Sequence, residues 1–354
     1  IIAKLKDSTY KDKIIRECRE LFYDSEFDEK INSNLNLLGF DNGIFDLDKM
    51  EFREGLPEDY ISYTTGIEYT NFKENDELLW KGDAGKLLAA LPNKRFIDLV
   101  VTSPPYNIGK SYEAKQPLEK YFADQRKIIE AIDSVISLNG SICWQVGNHI
   151  TKNGILPLDF GYHQIFQDLG YFLKNRIIWK FGHGFHARTR LSGRYEVVLW
   201  YTKGEDYTFN LDDIRVPSKY PGKKYYRGPN KGKISSNPLG KNPEDVWEIP
   251  NVKGNHPEKT DHPCQFPVGL IEKLILGFSN KGDIVFDPYM GVASAGVAAL
   301  IHGRKFIGSD IDAGFVKTSA NRLQEFKKGT LNYRSHDKPL YDHTKSSLSK
   351  HPNE

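Results

Sequence analysis

Between Leu78 and Phe326, apolar runs of strand length alternate with stretches whose apolar residues recur at helical spacing. A strand, a helix and a second strand in that order form a crossover unit, and repeated units build a doubly wound, mostly parallel α/β sheet. Strands are expected at Phe96–Thr102, Ser141–Val146, Arg176–Lys180, Tyr195–Tyr201, Ile284–Asp287 and Lys305–Ser309. Helices are expected around Leu118–Ile136, Asp159–Leu169, Pro267–Phe278, Ala293–His302 and Ala313–Phe326. The run Phe96–Thr102 lacks polar alternation, as a strand covered on both faces does.

Residues 1–72 read as a separate accessory or fusion segment. A helix is expected at Lys11–Phe22, and strands at Leu37–Asp46 and Tyr60–Tyr63 around turns such as Asp41-Asn42-Gly43. Residues 73–329 form the main domain, and 330–354 a polar, frayed tail. Lys81-Gly82-Asp83-Ala84-Gly85-Lys86-Leu87 is not a phosphate-binding loop. It lacks a glycine five residues before Gly85, and Leu87 stands where a hydroxyl should hold magnesium. With 39% hydrophobic residues the chain can build a real core, yet no window is apolar long enough to span a membrane. It opens on Ile1 with no basic-then-apolar leader, which leaves room for a start upstream and gives no sign of secretion. Cys18, Cys143 and Cys264 are odd in number and far apart, as suits reduced thiols in a cytoplasm.

A net charge of +2 hides an uneven distribution. No acidic residue lies between Ile214 and Pro243, where Arg215, Lys219, Lys223, Lys224, Arg227, Lys231, Lys233 and Lys241 are interleaved with Tyr220, Tyr225 and Tyr226. Cations with aromatics in a Gly/Pro-punctuated stretch suit an extended nucleic-acid contact better than a solvated helix face. Phe181–Arg188 is rich in Gly and His and reads as a flexible loop, with Arg188, Arg190 and Arg194 as candidate phosphate contacts.

Two strand ends carry the chemistry. Asp287-Pro288-Tyr289-Met290-Gly291 joins a strand to a helix, where open α/β sheets bind nucleotide-like ligands. Gly291 permits close backbone approach, Asp287 can accept from an ammonium, and Asp310, with Asp312 beyond it, can accept ribose hydroxyls. Ser103-Pro104-Pro105-Tyr106 closes the strand Phe96–Thr102. Two prolines remove two amide donors and stiffen the turn, so a Pro104 carbonyl and the Ser103 hydroxyl offer adjacent acceptors to an aromatic NH₂. Tyr106 can stack on the ring that bears the amine.

These residues resemble the β-type DNA amino-methyltransferases over residues 78–326, with the motifs in that family's permuted order: Ser103–Tyr106, the basic segment, then Asp287–Gly291. The resemblance implies an S-adenosylmethionine-dependent methyltransferase sheet acting on double-stranded DNA, with a target-recognition insertion near 207–254. It places Asp83 at the cofactor adenine, and Gln265 and Phe266 of His262–Pro267 on the cofactor pocket. Arg194-Tyr195-Glu196 leads the strand bordering the target pocket. Thr-Ser-Pro-Pro-Tyr is the more usual form in N4-cytosine enzymes and Asp-Pro-Pro-Tyr in N6-adenine enzymes, which favours cytosine with adenine as the alternative. A restriction-modification setting implies a cognate endonuclease, and a homodimer is compatible with the sequence. Ala293-Ser294 departs from the family's usual Gly and Thr, and a methyl at Ala293 is expected to crowd the cofactor. In the extreme it would leave a non-catalytic DNA-binding module. Separately, Phe27–Tyr69 resembles the segment before the helicase core of large-DNA-virus primase-helicases. His256, His262 and Cys264 lack a fourth ligand, and no metal centre is expected. Trp144, Trp179, Trp200 and Trp247 are assigned to the core.

Overall fold

A computed structural model describes residues 30–34, 36–49, 51–62, 64, 76–91, 94–109, 115–151, 154–182, 184 and 186–342. The chain divides into two compact units, Ile1–Tyr69 and Thr70–Glu354.

In the first unit, β1 (Leu37–Phe40), β2 (Gly43–Asp46) and β3 (Glu51–Arg53) form an antiparallel meander. A 3-10 turn at Pro57–Asp59 follows, and Asp59 pairs with Arg53 at 2.5 Å. The strand expected at Tyr60–Tyr63 does not form over its described residues. Tyr60 caps the turn in the left-handed region (φ 51°), and its carbonyl accepts from the Asn32 amide at 2.7 Å, which leaves it outside any strand ladder. Tyr63 and the helix expected at Lys11–Phe22 lie outside the described residues.

The second unit runs β4 (Glu77–Lys81), α1 (Ala84–Ala90), β5 (Ile97–Thr102), α2 (Leu118–Val135), β6 (Ile136–Val146). A hairpin follows, β7 (Asn148–Thr151) with β8 (Gly154–Pro157), and then α3 (Leu158–Asp168), β9 (Phe172–Lys180) and β10 (Tyr195–Thr202). After these come α4 (Leu211–Ile214), β11 (Val246–Glu248), α5 (Val268–Phe278), β12 (Ile284–Asp287), α6 (Ser294–Ile301), β13 (Lys305–Asp310) and α7 (Ala313–Lys327). Eight strands order as β11-β9-β10-β6-β5-β12-β13-β4, and every neighbouring pair is parallel except the two made by β10. Only a loop joins β9 to β10, and an antiparallel neighbour needs no helical crossover.

Alternate residues of the central strands feed two cores. Leu99, Val101, Val285 and Phe306 pack with α5, α6 and α7, whereas Ile97, Val100, Phe286 and Ile307 pack with α1, α2 and α3. A strand covered on both faces must be apolar on both, which is why Phe96–Thr102 reads as a continuous run. Trp144, Trp179, Trp200 and Trp247 are buried.

The segment after α7 is anchored rather than frayed as far as His336. Arg334 N donates to Glu258 Oε1 at 3.0 Å, and His336 N to Glu272 Oε2 at 2.8 Å. Both carboxylates are buried, and buried carboxylates need donors. Among the described residues, no helix is long and apolar enough to cross a membrane.

Candidate active site

The tips of β5 and β12 are next-door neighbours. Leu99 pairs with Val285 and Val100 with Phe286, and beyond them Thr102 Oγ1 donates to Asp287 Oδ1 at 2.6 Å. Over these tips lies a cavity of about 440 Å³. Asp83, Ser103, Pro104, Pro105, Tyr106, Gln265, Phe266, Asp287, Pro288, Gly291 and Asp310 all line it. The fold therefore brings every sequence-derived catalytic and cofactor residue to one hollow. His262, Phe315 and Tyr289 line it too, and sequence reasoning gave them no role.

On the β12–β13 side, carboxylates order the backbone. Asp310 Oδ2 accepts from Gly291 N at 3.0 Å and its Oδ1 from Asp312 N at 2.8 Å. Gly291 sits at φ 52°, and a Cβ there would stand 3.0 Å from His262 Nε2, so both backbone and space favour glycine. The turn is fixed from behind by α7, where Ser319 Oγ donates to Gly291 O at 3.0 Å and Arg322 donates to Val292 O. Asp83 caps α1, accepting from Lys86 N at 3.1 Å. Gln265 faces the cavity, but its amide is committed elsewhere. Its Oε1 accepts from Thr260 Oγ1 at 2.9 Å and its Nε2 donates to Glu258 O at 2.7 Å.

Burial shifts both aspartates. Asp287 is pushed up to about 7, with Thr102 and the Tyr289 amide only partly offsetting the loss of water. Asp310 is raised to about 6, again chiefly by burial, against the pull of the Asp312 and Gly291 amides. Such carboxyls favour a ligand that brings a cation or hydroxyl donors.

On the β5 side, four side chains form a chain of hydrogen bonds with one polarity. The Glu196 carboxylate has no hydrogen to give, so Gln145 turns its Nε2 toward it, at 2.6 Å. The Gln145 Oε1 then accepts from the Tyr106 hydroxyl at 2.7 Å. Burial, and next the Glu196 charge, raise the Tyr106 phenol well above its usual range and keep it protonated. With its one hydrogen shared between Gln145 Oε1 and Glu196 Oε2, the latter 3.2 Å away, the Tyr106 oxygen accepts from Ser103 Oγ, 3.3 Å away. The Ser103 lone pairs are left to act as acceptors. The Pro105 carbonyl is taken by the Tyr121 hydroxyl at 2.7 Å, whereas no donor to the Pro104 carbonyl is found among the described residues. Gly147 lets the Tyr106 ring approach the chain just past β6, because a Cβ there would meet ring carbon Cε2 at 2.7 Å.

The eight expected DNA-contacting cations do not line the cavity. Arg188, Arg190 and the half-buried Arg194 sit in the loop after β9, at the same end of the sheet as the Ser103 turn, because β9 runs parallel to β5 and β6. The basic segment is an irregular arm closed by bridges Val216↔Lys241 and Lys224↔Ile234. Lys219, Lys223, Lys224, Arg227 and Lys231 are exposed along it, as are Tyr220, Tyr225 and Tyr226. Arg227 stands over the Tyr226 ring at 5.6 Å.

Residues 97–321 match the sequence profile of a family described as DNA methylase, a span that contains both strand tips and the turns beyond them. The chain belongs to that family. Residues 1–98 match a profile described as D5 N terminal like, in line with the primase-helicase resemblance. The Type II methyltransferase M.BglII of Bacillus subtilis is 42% identical over 263 residues, 74% of this chain and 73% of that one. The DNA adenine methyltransferase YhdJ of Escherichia coli strain K12 is 32% identical over 265 residues, covering 73% and 86%. Among solved structures, the cytosine-N4-specific PvuII DNA methyltransferase superposes with a TM-score of 0.56 at 19% identity, over 73% of this chain and 94% of that one. A Thermus thermophilus protein in complex with S-adenosyl-L-methionine gives 0.52 at 22% identity, over 70% and 93%. The sheet is thus that of the S-adenosylmethionine-dependent DNA methyltransferases.

One expectation within this DNA methylase fold is corrected. Ala293 does not line the cavity; it is wholly buried at the N-cap of α6, with φ 51°. Its methyl packs into the core between the sheet and α5, so it does not crowd the cofactor side. A left-handed alanine costs about 1–2 kcal/mol, and burying a methyl returns about 0.8 kcal/mol. Ala293→Gly should therefore leave the dissociation constant of the methyl donor within about twofold of wild type by calorimetry.

Proposed function

We propose that this chain transfers the methyl group of S-adenosylmethionine to the exocyclic amine of a base extruded from double-stranded DNA, with N4 of cytosine the favoured target. The single observation that carries this reading is the shared hollow, where an acceptor pair at Ser103 and Pro104 adjoins the buried Asp287 and the half-buried Asp310 at the tips of β12 and β13. The residues fit the donor. Asp287 would hold its ammonium, Asp310 its ribose hydroxyls, and Asp83, Phe266 and Pro288 would wall its adenine and methionine parts, with Gln265 bracing the wall and Gly291 giving room. S-adenosylmethionine supplies a methyl on sulfonium, activated for displacement by a weak nucleophile.

The protein's part is to make the amine a better nucleophile. Ser103 Oγ and the Pro104 carbonyl accept its two hydrogens and draw the nitrogen toward tetrahedral geometry, spreading the positive charge that grows on it. Pro105 keeps the turn rigid, and Tyr106 stacks on the extruded base. Arg188, Arg190, Arg194, Lys219, Lys223, Lys224, Arg227 and Lys231 would contact phosphates around it. Cytosine is favoured by the Thr102-Ser103-Pro104-Pro105-Tyr106 form. The similarity to YhdJ, a DNA adenine methyltransferase, supports adenine N6 as the second reading. A cognate restriction endonuclease and a cytoplasmic setting follow as proposals from the Type II relatives.

The test is to incubate the chain with duplex DNA and labelled donor, digest the DNA, and identify the modified nucleoside by mass spectrometry. N4-methylcytosine is the expected product. N6-methyladenine would select the alternative base, and no label in DNA would overturn the activity.

A further inference from the structure

We propose that Glu272, His302 and His336 form a binding site for a divalent transition metal of the zinc type, one that staples the C-terminal segment onto the helices behind the sheet. The ligands come from three separate places. Glu272 is in the second turn of α5, His302 is the C-cap of α6, and His336 lies on the segment after α7. One ligand atom from each lies within 4.8 Å of the other two.

The spacing suits a single ion. Glu272 Oε1 is 3.0 Å from His302 Nε2, and Glu272 Oε2 is 3.6 Å from His336 Nδ1. Two ligands each about 2.1 Å from one zinc at a tetrahedral angle stand about 3.4 Å apart. The carboxylate turns one oxygen toward each imidazole, and the three ligand atoms, all within 4.8 Å of one another, close on one ion with small side-chain rotations. Two imidazoles and a carboxylate are also the donor set that zinc, cobalt and nickel accept.

Hydrogen bonding alone leaves this cluster incomplete. The Glu272 side chain is 2% exposed and surrounded by apolar residues of α5 and α6. His302 serves one oxygen and the His336 amide serves the other, at 2.8 Å. His336 Nδ1 is buried, faces the second oxygen and makes no hydrogen bond. At 3.6 Å from Glu272 Oε2 the nitrogen is too far for a hydrogen bond, and a cation shared with the carboxylate would fill that gap. The two rings keep 19% and 24% exposure, which gives an ion a way in from solvent.

The site would act on the C-terminal segment. Leu331 and Tyr333 already pack on the core behind the sheet, and the Arg334 amide is tied to Glu258. Glu258 also accepts from Val268 N at the start of α5, just after the Gln265–Phe266 stretch of the cavity wall. A metal at Glu272 would join this segment to both α5 and α6.

The experiment titrates Co²⁺ into the full chain, carrying no polyhistidine tag, and reads visible d–d absorption, with Zn²⁺ as competitor. One equivalent should bind, with bands that Zn²⁺ abolishes. His336→Ala and His302→Ala should each weaken binding at least about tenfold, while His163→Ala, far from the cluster in sequence and bonded to Tyr201, should not. Tryptic cleavage after Lys338 should slow when Zn²⁺ is present. Absent bands, or binding unchanged in both cluster variants, would overturn the proposal. His336→Ala lies on a surface segment, so it keeps the test decisive even where Glu272→Gln fails to fold. None of these readouts depends on methyl transfer.

Discussion

Ser103→Ala is expected to lower kcat for methyl transfer by about two to three orders of magnitude, with KM for DNA changed only a few-fold. The Ser103 oxygen is asked to accept a hydrogen that becomes acidic only as the amine attacks, so its loss falls on the transition state rather than on binding. The hydrogen-bond chain from Glu196 through Gln145 and Tyr106 adds a graded series. Tyr106→Phe keeps the stacking ring but frees the Ser103 hydroxyl to point its hydrogen into the cavity, for which a loss of about tenfold in kcat is expected. Tyr106→Ala removes ring and hydroxyl together and should also raise KM, because an extruded base loses about 1–3 kcal/mol of stacking. Ser103→Ala combined with Tyr106→Phe should cost little more than Ser103→Ala alone, since both act through one oxygen. Single-turnover rates with saturating donor read all four variants. A Ser103→Ala chain that turns over at the wild-type rate would show that the amine is held elsewhere.

What could be read from sequence divides by the kind of signal. Strands β5, β12 and β13 are legible because burial on both faces writes an unbroken apolar run, and the proposed site residues follow at their carboxyl ends. Their adjacency was not written in any one strand. It depends on the β5–β12 pairing that crosses most of the chain, which the Thr102–Asp287 bond closes. Strand β4 and helix α1 escaped notice because Glu77–Lys81 is a half-buried edge with mixed polarity and Ala84–Ala90 spans barely two turns. The direction of β10 was equally hidden, since a buried strand has the same composition either way up. Gln145 reads as a plain strand residue and Glu196 only as part of the segment leading the strand that borders the target pocket, because their hydrogen bonding depends on what they face. At Ala293 the departure from the family pattern was visible, but its consequence was inferred backwards. The left-handed backbone is what favours glycine at this position, and the alanine methyl is buried in the core. The profile match to residues 1–98 runs past the end of the first unit and takes in α1 and β4, the edge strand of the second unit's sheet.

Donor affinity is expected to weaken about tenfold to twentyfold between pH 8 and pH 6. Asp287 titrates at about 7 and Asp310 at about 6 in the chain without donor, both raised by burial. A donor ammonium beside Asp287 favours the ionised carboxylate, so at pH 6 binding must first expel a proton that at pH 8 is already gone. The same shift has the opposite sign for folding. A carboxyl whose folded pKa lies above its unfolded value of 3.8 stabilises the fold fully below that value, and the benefit is lost as pH rises through about 7. For Asp287 this amounts to roughly 4 kcal/mol, and donor binding offsets it by giving the charge a partner. Asp287→Asn should therefore do two things at pH 8: raise the melting temperature of the donor-free chain and weaken donor binding by about tenfold or more. Its donor affinity should also lose most of its pH dependence. Thermal scans with and without S-adenosylmethionine at pH 6 and pH 8.5 measure both effects at once, because the donor-induced rise in melting temperature must grow with pH in wild type and stay nearly flat in the variant. A wild-type donor shift that is the same at both pH values would mean that neither aspartate changes charge when the donor binds, and Asp287 would then not be its ammonium partner.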